Sequence, residues 1–348
     1  MQRRIAFIYP WATFGGVEKV MLTRAKLLNQ SGLYAIDLLF THDSGAASTI
    51  ISALSLCDNV EVKIVNLDYL AKKNYSCIFC IDFPAALEYC HEHNLKYYAE
   101  CHTPYKENRE YLNSIKKSCS GILFPSEFFL QEVSTELHQP KCSLAVLHNF
   151  IPWDQYSNDN EIPSLPHWTK KPILYLGRMD KLKNPCELLD AFLILKERSN
   201  NQHMLVFCGP KSHELDIIQE VKARGLMGDT IILPPIPFVQ VDKLFKAISY
   251  ADGIFVSPST GESFGLSASE AICSDIPVVL SNIEAHCYLV SNKESEFIYS
   301  LHNPAELAEK IEFISSDYNK IRDSLVRLKD KFSSAVFIKV WEDLLKAV

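Results

Sequence analysis

The sequence predicts an α/β protein built from two doubly wound parallel layers, and three observations lead there. Short continuous apolar runs, rich in β-branched and aromatic residues, alternate with stretches of helical spacing along the whole chain. Residues 149–172 place Pro152, Pro163, Pro166 and Pro172 among Asn, Asp and Ser with little apolar periodicity, which divides the alternation in two. Each half opens with a strand that runs into a glycine-containing turn and a helix, the first unit of a parallel layer. With 348 residues, 47% hydrophobic and 22% charged, the chain has enough apolar content for two ordinary cores.

In the first half, residues 4–9 form a β-rich run, followed by the Gly15-Gly16 turn and a helical pattern through Val17, Val20, Met21, Ala25 and Leu28. Paired glycines let the backbone approach another group closely, and a helix start offers unpaired N–H groups. An ordinary tight turn accounts for the same residues, and the G-x-G-x-x-G spacing of a dinucleotide site is absent. Strands follow at 34–40, 60–65, 77–82, 96–101, 121–124 and 143–147, with helices at 84–93, 105–117 and 127–137. His102 falls at a strand's carboxyl end ahead of Pro104, where ligands of doubly wound sheets sit, although a structural histidine fits there too.

Cys77 and Cys80, with Cys90, His91 and His93 nearby, do not make a metal site. Positions three apart on a strand face opposite sides, and no second paired-ligand motif occurs. Lys106, Arg109, Lys116 and Lys117 among Tyr105, Tyr111, Leu112 and Ile115 read as a basic amphipathic helix, able to rest on anionic lipid or to present a solvated face. The net charge of −7 implies no general affinity for nucleic acid. The 11 cysteines lack scaffold spacing, the first apolar run breaks at Pro10, and no run approaches the length of a membrane span. A reduced, cytoplasmic setting is expected.

In the second half, a strand at 173–177 leads into a loop with Arg178 and Lys183, then a helix at 186–196. Two cations beyond a strand's carboxyl end suit an anionic ligand, and ordinary surface charges would look the same. Strands at 203–208, 230–233, 253–257 and 276–281 alternate with helices at 214–224, 241–248 and 266–273, and the tail from Pro304 is helical. The stretch 257–277, SPSTGESFGLSASEAICSDIP, reads as strand, Pro/Gly loop and helix with Gly265 at the helix start, a ready place for phosphate. Glu262 and Glu270 bracket that start. Each carboxylate suits a vicinal diol; a helix-start charge and a solvated residue are the plainer reading.

SPSTGESFGLSASEAICSDIPVV resembles the Glu-seven-Glu donor motif of the retaining family 4 glycosyltransferases (glycosyl transferases group 1). Gly177-Arg178 with Lys183, the Gly15-Gly16-Val-Glu loop and His102 fall at further family positions. The resemblance implies a GT-B fold: two Rossmann-like domains facing across a cleft, 1–150 for the acceptor and 170–320 for the nucleotide sugar, with 321–348 packing back on the first. It implies metal-independent, retaining transfer of a hexose-type sugar from a UDP- or GDP-sugar to a glycan or lipid-linked acceptor, in cell-surface polysaccharide or lipopolysaccharide synthesis. The nucleotide sugar is a co-substrate and no cofactor is expected.

By the same resemblance His102, Arg178, Lys183 and Glu262 act in catalysis. Gly15, Gly16, Gly177, Ser263, Phe264, Gly265, Leu266 and Glu270 bind the donor, and 105–117 is the expected peripheral contact with the inner face of a membrane. The chain departs from the family at three places. Asn184 replaces a glycine, Cys208-Gly209-Pro210 keeps one glycine of two, and Ile-Glu-Ala-His286 stands where Gly-Gly…Glu is common, which leaves the donor sugar open. The alternatives are a nucleotide-sugar epimerase of the same architecture, or an inactive sugar-binding or scaffold protein. The first would not carry Glu-seven-Glu with Arg and Lys, and the second would have lost them.

Overall fold

The computed structural model describes residues 2–153, 168–198, 202–292 and 294–346, so most of the Pro-rich linker lies outside the described residues. They form two compact units, Met1–Phe150 with Ser334–Val348, and Ile151–Ser333.

The first unit holds seven parallel strands: β1 (Arg3–Ala12), β2 (Tyr34–Asp43), β3 (Val60–Ile64), β4 (Cys77–Ile81), β5 (Tyr97–Glu100), β6 (Ile122–Phe124) and β7 (Leu144–Val146). Helices α1 (Gly16–Gln30), α2 (Ala47–Ala53), α3 (Asp68–Ala71), α4 (Pro84–Glu92) and α5 (Glu127–Ser134) connect them. The sheet order is β3-β2-β1-β4-β5-β6-β7. All five residues of β4 are buried, which is why the central strands read as unbroken apolar runs: a parallel sheet is covered on both faces.

The second unit repeats the plan with β8 (Lys171–Leu176), β9 (His203–Cys208), β10 (Thr230–Leu233), β11 (Ile254–Ser257), β12 (Val278–Ser281) and the short β13 (Ile298–Tyr299). Their order is β10-β9-β8-β11-β12-β13, again parallel. Its helices are α6 (Pro185–Arg198), α7 (Ile217–Ala223), α8 (Val241–Tyr250), α9 (Leu266–Cys273), α10 (Glu284–Val290), α11 (Pro304–Ser316), α12 (Tyr318–Ser324) and α13 (Val326–Lys329). In both sheets the order turns back between the first and fourth strands, at β1/β4 and at β8/β11. Ligands of such sheets bind beyond the strand ends at these points.

The last helix, α14 (Ser334–Lys346), returns to the first unit. Its Trp341 is buried and stacks on Phe79 at 5.0 Å and on Phe7 at 5.9 Å. The return begins at Ser334, whereas α12 and α13 stay in the second unit, so the segment that packs back is shorter than 321–348.

The expected amphipathic helix over 105–117 is not formed. The segment makes two short 3-10 turns, Lys106–Asn108 and Glu110–Ser114. Arg109 turns inward to Glu132 at 3.0 Å and Glu136 at 2.8 Å and lies over the Phe129 ring. Two carboxylates on and just beyond α5 draw the cation out of the supposed basic face. Cys77, Cys80 and Cys90 are buried, and burial raises the Cys77 thiol to about 12. Among the described residues no helix is long and apolar enough to cross a membrane.

Candidate functional site

The site of the second unit is built where β8 and β11 end side by side, paired at Ile173↔Ile254 and Leu174↔Phe255. Beyond β8 the chain passes through Gly177 to Arg178, and Asp180 organises the loop from there to Lys183. The Arg178 Nε–H donates to Asp180 Oδ2 at 2.9 Å, and the Lys183 backbone N–H donates to Asp180 Oδ1 at 2.9 Å. One buried carboxylate therefore fixes the loop that carries both cations. Asp180 had no motif to mark it; its only signal was an acidic residue between the two cations.

The loop closes at Asn184, whose φ of +50° is left-handed. Asn is the common non-glycine residue in that region, so replacing the family's glycine keeps the turn. The Asn184 side chain also donates to Glu187 at 2.5 Å in the first turn of α6.

Beyond β11, the Thr260 N–H donates to the Leu182 carbonyl at 2.8 Å and joins the two loops. The Lys183 ammonium pairs with Glu262 Oε1, which also accepts from the Ser259 hydroxyl at 3.0 Å. The pair is largely shielded, with side-chain exposures of 21% for Lys183 and 12% for Glu262. Burial alone would raise the Glu262 carboxyl. The charge of Lys183 and the bonds from Lys183 and Ser259 outweigh it and hold the group below its ordinary value. Glu262 Oε2 has no hydrogen-bond partner among the described residues. Arg178 is the more accessible cation, with half of its side chain exposed.

After Ser263, Phe264 is buried and meets Phe332 edge-on at 6.3 Å. Gly265 takes φ +86° and starts α9, where a Cβ would lie 3.1 Å from the Leu289 side chain. A left-handed, crowded position of this kind needs glycine. Leu266 is the first helical residue, and Glu270 is 3% exposed, so the reading of Glu270 as a solvated charge is incorrect. Arg178, Lys183, Glu262 and Gly265 thus gather around one strand crossing.

In the first unit, His102 is buried after β5. Its Nε2 meets Glu100 Oε2 at 3.0 Å and its backbone N–H donates to Asp82 at 3.0 Å. Glu100 also takes the Arg24 guanidinium at 2.7 Å, and Arg24 reaches the Leu147 carbonyl and Asn149. Burial pushes Glu100 up, but the Arg24 charge and the His102 bond bring it below its ordinary value. Gly15 and Gly16 begin α1, and the group brought close to them is the chain's own Glu18, which accepts from the Thr13 N–H at 2.6 Å and from the Thr13 hydroxyl. A Cβ on Gly15 would lie 2.7 Å from Glu18 Oε2.

Burial also lowers two histidines of the second unit, His203 and His286, from the ordinary 6.5 to about 4. Both rings are neutral when folded and take up a proton on unfolding anywhere between those values. Stability is therefore expected to fall as pH drops through 6.5 toward 4, by up to about 1.4 kcal/mol per pH unit for each ring. Urea denaturation at pH 7 and pH 5 measures this, and His203→Asn should remove part of the slope. Equal stability at the two pH values would show that the rings are not held neutral.

The family model for glycosyl transferases group 1 matches residues 158–330. The capsular polysaccharide biosynthesis glycosyltransferase CapM of Staphylococcus aureus is 30% identical over 178 residues, 49% of this chain and 43% of that protein. A sucrose synthase of Melioribacter roseus is 28% identical over 204 residues, 54% of this chain and 25% of that protein. These matches span less than half of either relative's length. Among solved structures, Anabaena HepE in complex with UDP and glucose superposes with a TM-score of 0.80 at 16% identity, covering 100% of both chains. A glycosyltransferase from Rickettsia africae gives 0.75 at 17% identity, covering 99% of this chain and 98% of that one. Identities this low establish the fold alone. The chain therefore has the GT-B fold, and its residues 158–330 belong to the glycosyl transferases group 1 family.

Proposed function

We propose that the protein is a retaining glycosyltransferase that moves a hexose-type sugar from a UDP- or GDP-sugar to a glycan or lipid-linked acceptor. The observation that carries this reading is the Lys183–Glu262 pair at the β8/β11 crossing, with Arg178 half exposed beside it. A site for a neutral ligand has no use for two cations and a helix start. A diphosphate uses all three. The names of CapM and of the structure of HepE with UDP and glucose support the same class of substrates.

In the proposed reaction the bond between the anomeric carbon and the diphosphate oxygen breaks. Negative charge develops on the leaving diphosphate and positive charge on the sugar. Arg178, Lys183 and the amides around Phe264–Leu266 meet the first charge with groups already in place. The second oxygen of Glu262 remains open to a sugar hydroxyl. The acceptor hydroxyl forms the new bond to the anomeric carbon on the face the diphosphate leaves, and its proton passes to the leaving diphosphate oxygen. No protein carboxylate is assigned as a covalent nucleophile, and the two cations carry the charge that a metal ion would otherwise balance.

Glu270 is assigned to the ribose, so Glu270→Ala should raise the donor KM and leave kcat near its starting value. The first test is a panel of nucleotide sugars scored by thermal stabilisation, with and without EDTA. A true donor at 100 times its Kd adds about 2.7 kcal/mol. If no UDP- or GDP-sugar stabilises the chain, or if stabilisation requires a divalent metal, the assignment fails.

A further inference from the structure

The sequence leaves the family pattern after Ser281, and the structure shows what the replacement residues do. Ser281 ends β12 next to β11, in the register Ser257↔Leu280, and His286 lies in α10. Both side chains are fully buried. The Ser281 hydroxyl donates to the Ser259 carbonyl at 2.6 Å. With that proton committed, the Ser281 oxygen accepts from His286 Nδ1 at 3.0 Å, and the same Nδ1 lies 3.1 Å from the Ser281 carbonyl. A carbonyl only accepts, so Nδ1 carries the ring's proton. The neutral state of the ring leaves Nε2 without one.

From Ser259 the chain of bonds continues toward the site. The Ser257 hydroxyl meets the Ser259 hydroxyl at 3.1 Å, and the Ser259 hydroxyl donates to Glu262 Oε1 at 3.0 Å. The buried imidazole is therefore tied to the site carboxylate through two serines. Its Nε2 is buried without a hydrogen-bond partner among the described residues. The ring also flanks Gly265, whose Cβ position is 3.8 Å from His286 Cδ2. Electrostatically it is close enough to both Glu262 and Lys183 for their charges to act on it. A histidine serving only as core filler would not need a fixed tautomer bonded to the hydroxyl that holds the Ser259 carbonyl.

We infer that His286 and Ser281 are positioning residues, which hold Glu262 through Ser259 in the orientation that presents its open oxygen to the sugar. The inference rests on the reading of Glu262 as a sugar-holding group. It concerns the sugar and not the nucleotide, because neither residue bonds to Arg178, to Lys183 or to the backbone amides that start α9.

The test uses Ser281→Ala, which changes little volume, together with His286→Leu and His286→Asn; the Asn amide puts a donor near the place of Nδ1. Ser281→Ala and His286→Leu should lose turnover by up to about 10²-fold, the scale of a small misplacement of a reacting group. Their Kd for UDP or GDP alone should not change, and His286→Asn should recover most of the turnover. Unchanged turnover in Ser281→Ala overturns the inference. So does a loss of UDP or GDP affinity that runs parallel to turnover, because that is the mark of a general structural role. A crystal structure of Ser281→Ala decides the matter independently of activity: Glu262 should adopt a different or a second rotamer, and an unmoved Glu262 refutes the positioning role. If the unaltered chain binds no nucleotide sugar, the proposed function falls, while the crystal comparison still decides whether these residues place Glu262.

Discussion

Arg178→Ala is expected to lower turnover about 10²–10³-fold, the usual cost of removing one group that meets charge developing in a transition state, with the protein still folded. The separation of the two effects comes from exposure. Half of the Arg178 side chain is open to solvent, so water screens its ion pair with the buried Asp180 and can solvate that carboxylate when the guanidinium is removed. The loop does not depend on it, because Asp180 holds the Lys183 N–H independently. Arg178→Lys should recover only part of the rate, since a point charge replaces a planar fork. Steady-state kinetics with an active nucleotide sugar, beside thermal melts, measures both quantities. Turnover equal to that of the unaltered protein would remove Arg178 from the chemistry.

Gly209→Ala is expected to cost about 4 kcal/mol or more, in the exceptional range for a single substitution. Gly209 takes φ +144°, a conformation closed to residues with a Cβ, and a Cβ there would fall on the Gly177 carbonyl oxygen, far inside van der Waals contact. Relief would require the two strand ends to part, and those ends are bonded through Gly177 N–H to the Cys208 carbonyl and Met179 N–H to the Pro210 carbonyl, both at 3.0 Å. The strain lies directly under the loop of Arg178 and Lys183, so residual folded protein should also lose donor affinity. Gly228→Ala serves as the control, because a Cβ there meets nothing within 4 Å. Urea titration of both variants is the measurement. A Gly209→Ala midpoint equal to that of Gly228→Ala would contradict the argument. Of the two glycines common in relatives, the chain has kept the one the backbone cannot do without.

The strands were legible because a parallel sheet covered on both faces leaves unbroken apolar runs such as 77–81 and 253–257, whereas the order in which they pair was not, since it is set by helices that cross between them. Arg178, Lys183, Glu262 and Gly265 were legible through their motifs, and the structure brings these four together. What escaped was either small or distant. Ser259, Ser281 and His286 look like ordinary loop, strand and helix residues until β11 and β12 lie side by side. Asp180 serves through hydrogen bonds that sequence does not display. The segment 105–117 was misread because its apolar spacing matched a helix, while the partners of Arg109, Glu132 and Glu136, lie more than twenty residues away. Glu270 allowed two readings, and only burial separates them.

The place of α14 has a consequence for how the chain is made. The aromatic stack of Phe7, Phe79 and Trp341, with Phe337 5.6 Å from Trp341, joins β1 and β4 to α14. During synthesis the strands that carry Phe7 and Phe79 emerge long before the helix that covers these two rings, and the whole of Ile151–Ser333 is translated in between. The unit that begins first is therefore finished last. Chains released without residues 334–346 should carry a completed second unit and a first unit whose Phe7 and Phe79 lack their cover, the form most dependent on chaperones.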